Sequence, residues 1–145
     1  MVEIANESLE NISARKNDEF DNYIYKAPLG VIFVMAPWNY PIITATNTIV
    51  PALLAGNTLI LKHSSQTPAC AEIISKAFEG TGLPNSVFQY LHTDHQACKK
   101  IISDKRVAHI VFTGSVRGGQ EVKKYIGTRF ILSLIHISEP TRQLQ

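Results

Sequence analysis

Three short segments hold side chains suited to an anion or a polarised carbonyl. The first is Ala36-Pro37-Trp38-Asn39-Tyr40-Pro41, where Asn39 stands just ahead of a helical pattern. An Asn in that place ordinarily caps the helix by accepting backbone N–H bonds. Turned the other way, its amide N–H is a donor to a developing oxyanion, and loss of one such donor costs roughly a hundred- to a thousand-fold in rate. Trp38 reads either as core or as the wall of a ligand site. The second segment, Lys62-His63-Ser64-Ser65-Gln66-Thr67-Pro68, offers a cation and hydroxyls but no carboxylate. Its bland reading is a solvated lysine and a Ser/Thr turn before a proline-led helix. The third is Phe112-Thr113-Gly114-Ser115-Val116-Arg117-Gly118-Gly119. A small-residue turn running into a helix leaves free N–H groups at the positive end of the helix dipole, a seat for phosphate, and a merely structural turn has the same signature. It is neither GxGxxG nor GxxxxGK.

His92, His95 and Cys98 are spaced three apart but have no fourth ligand nearby. His92 would end a strand while His95 begins a helix, so no metal is expected. Cys70 and Cys98 have no base beside them and neither reads as an activated nucleophile. Without CxxC spacing they fit a reducing compartment, and cytoplasm is the default expectation.

Strands must end just before these three segments if the segments are to meet. Val31-Ile32-Phe33-Val34-Met35 is the most apolar run and reads as a strand buried on both faces, as in a parallel sheet covered by helices. Ile42, Ile43, Ala45, Ile49, Ala52, Leu53 and Leu54 recur near a 3.6 period and predict a helix over 39–55, closed by Gly56. Strands over Thr58–Leu61, Val87–Leu91 and His109–Phe112 alternate with helices opening at Pro68, capped by Asp94, and ending near Tyr125. The order β-α-β-α-β-α-β-α is that of an open, doubly wound parallel sheet, which binds ligands where loops leave the carboxyl ends of its strands. All three segments are such loops. In a dinucleotide fold the second would touch the adenosine ribose. A carboxylate there bonds the 2′-OH and repels a 2′-phosphate, so Lys62, Ser64 and Ser65 permit NADP and slightly favour it over NAD.

Ahead of the sheet, Val2, Ile4, Leu9 and Ile12 predict a short amphipathic helix within Met1 to Lys16, and Tyr23-Ile24-Tyr25 a brief β-prone run. At the other end, Leu132-Ser133-Leu134-Ile135-His136-Ile137 would be an extra strand with no helix to cover it, outside the alternation. Leu132 to Arg142 resembles the in-frame translation of a sequencing-library adapter, so 132–145 is expected to be an artefactual tail; a genuine edge strand is the competing reading. The expected division is 1–27, 28–131 and 132–145.

Composition agrees with one globular domain: of 145 residues, 45% are hydrophobic and 18% charged, which excludes disorder, collagen and disulfide scaffolds. A formal charge of +2 makes no electrostatic case for nucleic acid or a membrane surface, and a small-molecule partner is expected. The start, MVEIANESLE, lacks the cationic and apolar halves of a signal peptide, and no apolar run approaches the roughly 20 residues that cross a bilayer.

Taken together, Pro28-Leu29-Gly30-Val31, Ala36-Pro37-Trp38-Asn39-Tyr40-Pro41, Pro51-Ala52-Leu53-Leu54-Ala55-Gly56-Asn57-Thr58, Leu61-Lys62, Gln66-Thr67-Pro68, Gly82-Leu83-Pro84 and Phe112-Thr113-Gly114-Ser115 resemble, in order, the cofactor-domain signature of the NAD(P)-dependent aldehyde dehydrogenase superfamily. The resemblance runs from about Tyr25 to Ile131 and implies a Rossmann-like NAD(P)-binding domain of a dehydrogenase that oxidises an aldehyde through a cysteine thiohemiacetal. By the same resemblance, Asn39 matches the side-chain oxyanion donor, and Pro37 with Trp38 the segment beside the nicotinamide. Lys62 matches the ribose contact, and Ser115 with its neighbour Gly114 the pyrophosphate contact. Ser65 stands where many NAD-using members carry Glu, which resembles members that accept NADP, including some acting on succinate semialdehyde. His92-Thr93-Asp94-His95 departs from the family's usual Gly near the adenine.

The resemblance also implies that the general-base and nucleophile segments lie beyond Ile131, and that Tyr23 to Lys26 is the start of an oligomerisation hairpin. The chain is therefore expected to be truncated at both ends and inactive by itself, while the full-length relative is expected to be a homo-oligomer acting on a small aldehyde. A noncatalytic nucleotide-binding or interaction module on the same scaffold is the competing reading.

Overall fold

The computed structural model describes residues 2–16, 20–127 and 129–138. Its elements are α1 (Ala5–Leu9), β1 (Ile12–Lys16), β2 (Asp21–Ile24), β3 (Val31–Met35), α2 (Pro41–Leu54), β4 (Thr58–Lys62), α3 (Ala69–Ala77), β5 (Phe88–Tyr90), α4 (His95–Ser103), β6 (Val107–Gly114), α5 (Val116–Ile126) and β7 (Leu132–Ile137). β3 to β7 form one five-stranded sheet in the order β5-β4-β3-β6-β7. All its pairings are parallel. The chain starts in the middle, winds outward to β5, then crosses back past β3 to β6. The resulting crevice between β3 and β6 is the topological switch point of a doubly wound sheet.

The two-sided burial of Val31–Met35 follows from its place at the centre. On one face Ile32 and Val34 pack with Ala45, Ile49 and Ala52 of α2 and Ala71 and Ile74 of α3. On the other, Phe33 and Met35 pack with Cys98 and Ile102 of α4 and Val122 and Ile126 of α5. Alternate residues of one strand thus seed two cores, and the strand carries no polar position to spare.

α2 closes as the sequence predicts. Gly56 takes φ 79°, its N–H bonds the Leu53 carbonyl, and the Asn57 N–H bonds the Ala52 carbonyl. This is a Schellman closure, with glycine at the position where a side chain would strain the backbone. Asn57 then fastens the turn to the approach of β3: its Oδ1 accepts from the N–H groups of Leu29 (2.6 Å) and Gly30 (3.0 Å), and its Nδ2 donates to Ala52 O (3.0 Å).

Two expectations change. The helix foreseen within 1–16 spans only Ala5–Leu9, and Ile12–Lys16 instead pairs antiparallel with β2. None of the residues of α1 is buried, so nothing rewards extending a helix too short to be stable by itself. The second change concerns the cover of Leu132–Ile137, which reads in the sequence as a strand with no helix over it. The segment extends the alternation as β7, in parallel register with β6 from His109↔Leu132 to Gly114↔Ile137. Its cover is α5: a Cβ on Gly119 would lie 3.0 Å from Ile135 Cγ2 and 3.1 Å from Ile137 Cδ1, so helix and strand approach as closely as a glycine allows. The expected tail beyond residue 138 lies outside the described residues.

Candidate functional site

The loops leaving β3, β4 and β6 converge at one end of the sheet. Ala36 N–H bonds the Lys62 carbonyl (3.1 Å), so the parallel ladder carries on one step beyond β3 and fixes the first two loops side by side. Between these loops and the facing sides of α4 and α5 lies a cavity of about 780 Å³.

Pro37, Trp38 and Asn39 line it from β3. Trp38 is 45% exposed and so belongs to the cavity wall rather than to the core. Asn39 does not cap α2: the N-cap position is Tyr40, and no side chain bonds the first turn. The Asn39 Nδ2 instead donates to Ser138 Oγ at 2.8 Å, beyond the end of β7. The capping reading of this residue therefore does not hold, and its amide lies at the cavity wall.

From β4 come Lys62 and Ser64. The Ser64 hydroxyl accepts from Gln66 N–H at 3.3 Å and its carbonyl from Thr67 N–H at 3.1 Å, which turns the loop toward α3. That turn carries Ser65 away: it is exposed and does not line the cavity, unlike the other expected contacts. His63 between them is 3% exposed, and burial lowers its pKa from the ordinary 6.5.

Gly114 and Ser115 line the cavity from β6. Ser115 caps α5, its Oγ accepting from Gly118 N–H at 3.2 Å. The Phe112 ring lies over this turn, so that a Cβ on Gly114 or Gly118 would come within 2.7 or 2.6 Å of its Cζ. The two glycines give the ring its place and leave the helix N-terminus open to the cavity. Unpaired N–H groups there, at the positive end of the dipole, suit an anion.

Several wall residues were missed in the sequence. Cys98 and Ile102 on α4 face Val122 and Tyr125 on α5 as an apolar slot, and Lys99 and Arg117 add positive charge against the single carboxylate of Glu121. Helical spacing puts each set on one face without saying what that face meets: His95, Cys98, Lys99 and Ile102 recur at three and four residues, and Arg117, Glu121 and Tyr125 at four. The Lys99 ammonium lies 5.1 Å from the Tyr125 ring centroid, and hydrogen bonding to Tyr125 raises its pKa, with Glu121 adding to the effect. Burial pushes the Cys98 thiol up, more than the Lys62 charge pulls it down, so it stays protonated near neutrality. His92 turns away to Glu72 (2.8 Å), and no group of three metal-ligating side chains gathers among the described residues.

Residues 1–135 match the profile of the aldehyde dehydrogenase family. The chain is 37% identical over 100 residues to the NAD(P)+ succinate semialdehyde dehydrogenase Sad of Escherichia coli, covering 69% of this chain and 22% of that protein. It is 40% identical over 105 residues to the NADP(+) succinate-semialdehyde dehydrogenase of Mycobacterium avium, covering 72% and 22%. The chain thus spans about a fifth of these curated relatives. Among solved structures it superimposes on succinic semialdehyde dehydrogenase from Streptococcus pyogenes in complex with NADP+, with a TM-score of 0.86 at 26% identity over 94% of this chain and 30% of that one.

Proposed function

Since the chain belongs to the aldehyde dehydrogenase family, we propose that it is the dinucleotide-holding part of an enzyme that oxidises an aldehyde to a carboxylate, and that its cavity takes NADP or NAD. The observation that carries this reading is the meeting of three loops and one capped helix N-terminus around a single cavity. The residues present fit the group. The open N-terminus of α5, bounded by Gly114, Ser115 and Gly118, suits a pyrophosphate, and the slot between Cys98, Ile102, Val122 and Tyr125 suits a flat purine.

Lys62 and Ser64 supply a cation and a hydroxyl with no carboxylate beside them, which favours NADP slightly over NAD. With Ser65 outside the cavity, the preference rests on Lys62 and Ser64. Pro37 and Trp38 form the wall toward the reacting end. When bound, the nicotinamide supplies a two-electron acceptor for the aldehyde carbon. Asn39 donates its amide N–H to the aldehyde oxygen as negative charge gathers there, and in a site closed to water such a donor is worth about 3 kcal/mol. The aldehyde of the relatives' names, succinate semialdehyde, is the substrate proposed for the whole enzyme.

The 145-residue chain itself is proposed to bind the dinucleotide without turnover. Cys98 is buried, and burial, with the nearby Asp94 carboxylate adding to it, keeps its thiol protonated rather than a ready nucleophile. Titration of the chain with NADP and with NAD, followed by Trp38 fluorescence and calorimetry, is expected to give saturable one-site binding, tighter for NADP. A folded chain that produces neither heat nor a fluorescence change with either nucleotide refutes the proposal.

A further inference from the structure

His63 is the one buried imidazole among the described residues, and the chemistry above does not use it. It sits between two residues of the cavity wall, Lys62 and Ser64, yet points inward. Its Nδ1 lies 3.4 Å from the Thr67 hydroxyl, one residue before the proline that opens α3. Its Nε2 meets no hydrogen-bond partner among the described residues, although the Pro41 backbone at the first residue of α2 lies close enough to act on the ring. The ring therefore fills the junction of three parts: the end of β4, the first turn of α2, which opens two residues after Asn39, and the Thr67 turn.

We propose that His63 is a positioning residue, whose uncharged ring wedges the loop after β4 against the start of α2 and so holds Lys62 and Asn39 at the cavity wall, and that a proton taken up by this ring loosens both and weakens dinucleotide binding. The inference rests on the dinucleotide reading of the cavity. The physical reason is the surroundings. A protonated imidazole would place a charge in a closed junction whose facing groups are the Lys62 ammonium on β4, the Pro41 backbone on α2 and the Thr67 hydroxyl before α3. One of these is itself a cation and none is an anion; only the Pro41 backbone favours the charged ring, so opening the junction to water is the main way to relieve the charge. Burial already holds the pKa below its ordinary value, with the Pro41 backbone opposing and the Lys62 charge assisting.

The test uses the full 145-residue chain and NAD as probe, because the 2′-phosphate of NADP itself titrates at about pH 6. Dissociation constants from Trp38 fluorescence are measured across the pH range in which imidazoles charge, for the wild type, His63→Gln and His63→Ala. The wild-type constant is expected to rise at least about fivefold between about pH 7.5 and about pH 5.5. His63→Gln, which keeps a neutral donor and acceptor in the junction, is expected to restore most of the affinity lost in His63→Ala and to remove the pH dependence. A ring that only fills space would leave the wild-type affinity independent of pH. As a second readout, the His63 imidazole is titrated by NMR with and without saturating NAD, and its pKa is expected to fall in the complex, as reciprocity of coupling requires. An unchanged pKa, or a His63→Gln chain with the wild-type pH profile, overturns the inference. Absence of NAD binding by folded wild type at any pH strikes instead at the dinucleotide reading.

Discussion

Replacing Asn57 by Ala removes three hydrogen bonds from one side chain, those to Leu29 N–H at 2.6 Å, Gly30 N–H at 3.0 Å and Ala52 O at 3.0 Å. The three losses are unequal. Ala52 O keeps its bond from the Asn57 backbone N–H, so it is never left bare. The two donors lose their acceptor, but both belong to exposed residues, where water replaces part of what is lost. With about 1 kcal/mol for each net bond and a discount for rewetting, the cost is about 2 kcal/mol. For a chain of this size that lowers the melting temperature by about 6 °C. Asn57→Asp separates the two halves of the effect: the carboxylate still accepts from both N–H groups but meets Ala52 O without a donor. Its deficit is expected to be smaller and to shrink on acidification, when a protonated carboxyl donates again. Urea denaturation and calorimetry at two pH values measure both. Asn57 lies ahead of β4, at the strand ends away from the cavity, so the NADP affinity of the folded Asn57→Ala chain is expected to be unchanged. A destabilisation under about 0.5 kcal/mol, or an Asn57→Asp deficit that grows with acid, refutes the reasoning.

Other outcomes follow from the site. Gly118→Ala places a Cβ 2.6 Å from Phe112 Cζ. The clash is expected to outweigh a helix-propensity gain of about 1 kcal/mol, and the change to become neutral or stabilising in a Phe112→Leu background, as a double-mutant cycle by urea denaturation would show. Lys62→Met is expected to weaken NADP about tenfold and NAD less, by calorimetry. Ser64→Glu is expected to penalise NADP more than Ser65→Glu, because only Ser64 lines the cavity. For His63 the folded pKa lies below the ordinary 6.5. The unfolded chain then binds the extra proton, so stability present above about pH 6.5 is lost as pH falls toward the folded pKa, and subtracting the His63→Gln profile in chemical denaturation isolates the effect.

Much of the fold was legible because single residues were unambiguous. Val31–Met35 carries no polar residue, which only a doubly covered central strand tolerates, and Gly56 marked the end of α2 because a Schellman closure needs a residue free to take positive φ. Asp94 was read correctly as a cap and accepts a bond from its helix's first turn, as does Ser115, which was read only as part of the turn before α5. The first helix was overextended because Val2, Ile4 and Ile12 show a helical period without a surface to pack on; all three are exposed. Leu132–Ile137 looked surplus because its cover, α5, precedes it and also serves β6.

The candidate site was legible where strand ends dictate it. Its loops follow from topology, whereas Asn39 was ambiguous because capping and donating into a crevice call for the same residue in the same place. The wall from α4 and α5 was missed because nothing in the spacing of Cys98 or Tyr125 says which neighbour a helix faces. His63 escaped notice for a similar reason: a histidine beside a lysine after a strand reads as solvated until the packing of α2 and α3 is known.

The central claim is that the loops ending β3, β4 and β6, with the N-terminus of α5, hold one dinucleotide. Backbone amide and indole NMR shifts followed while NADP is added test it most directly. The account predicts that the largest changes fall on the Gly114–Gly119 amides, the Trp38 indole and Lys62–Ser64, with β1 and β2 unmoved. Saturable shifts confined to the opposite strand ends, around Gly30 and Asn57, would contradict it.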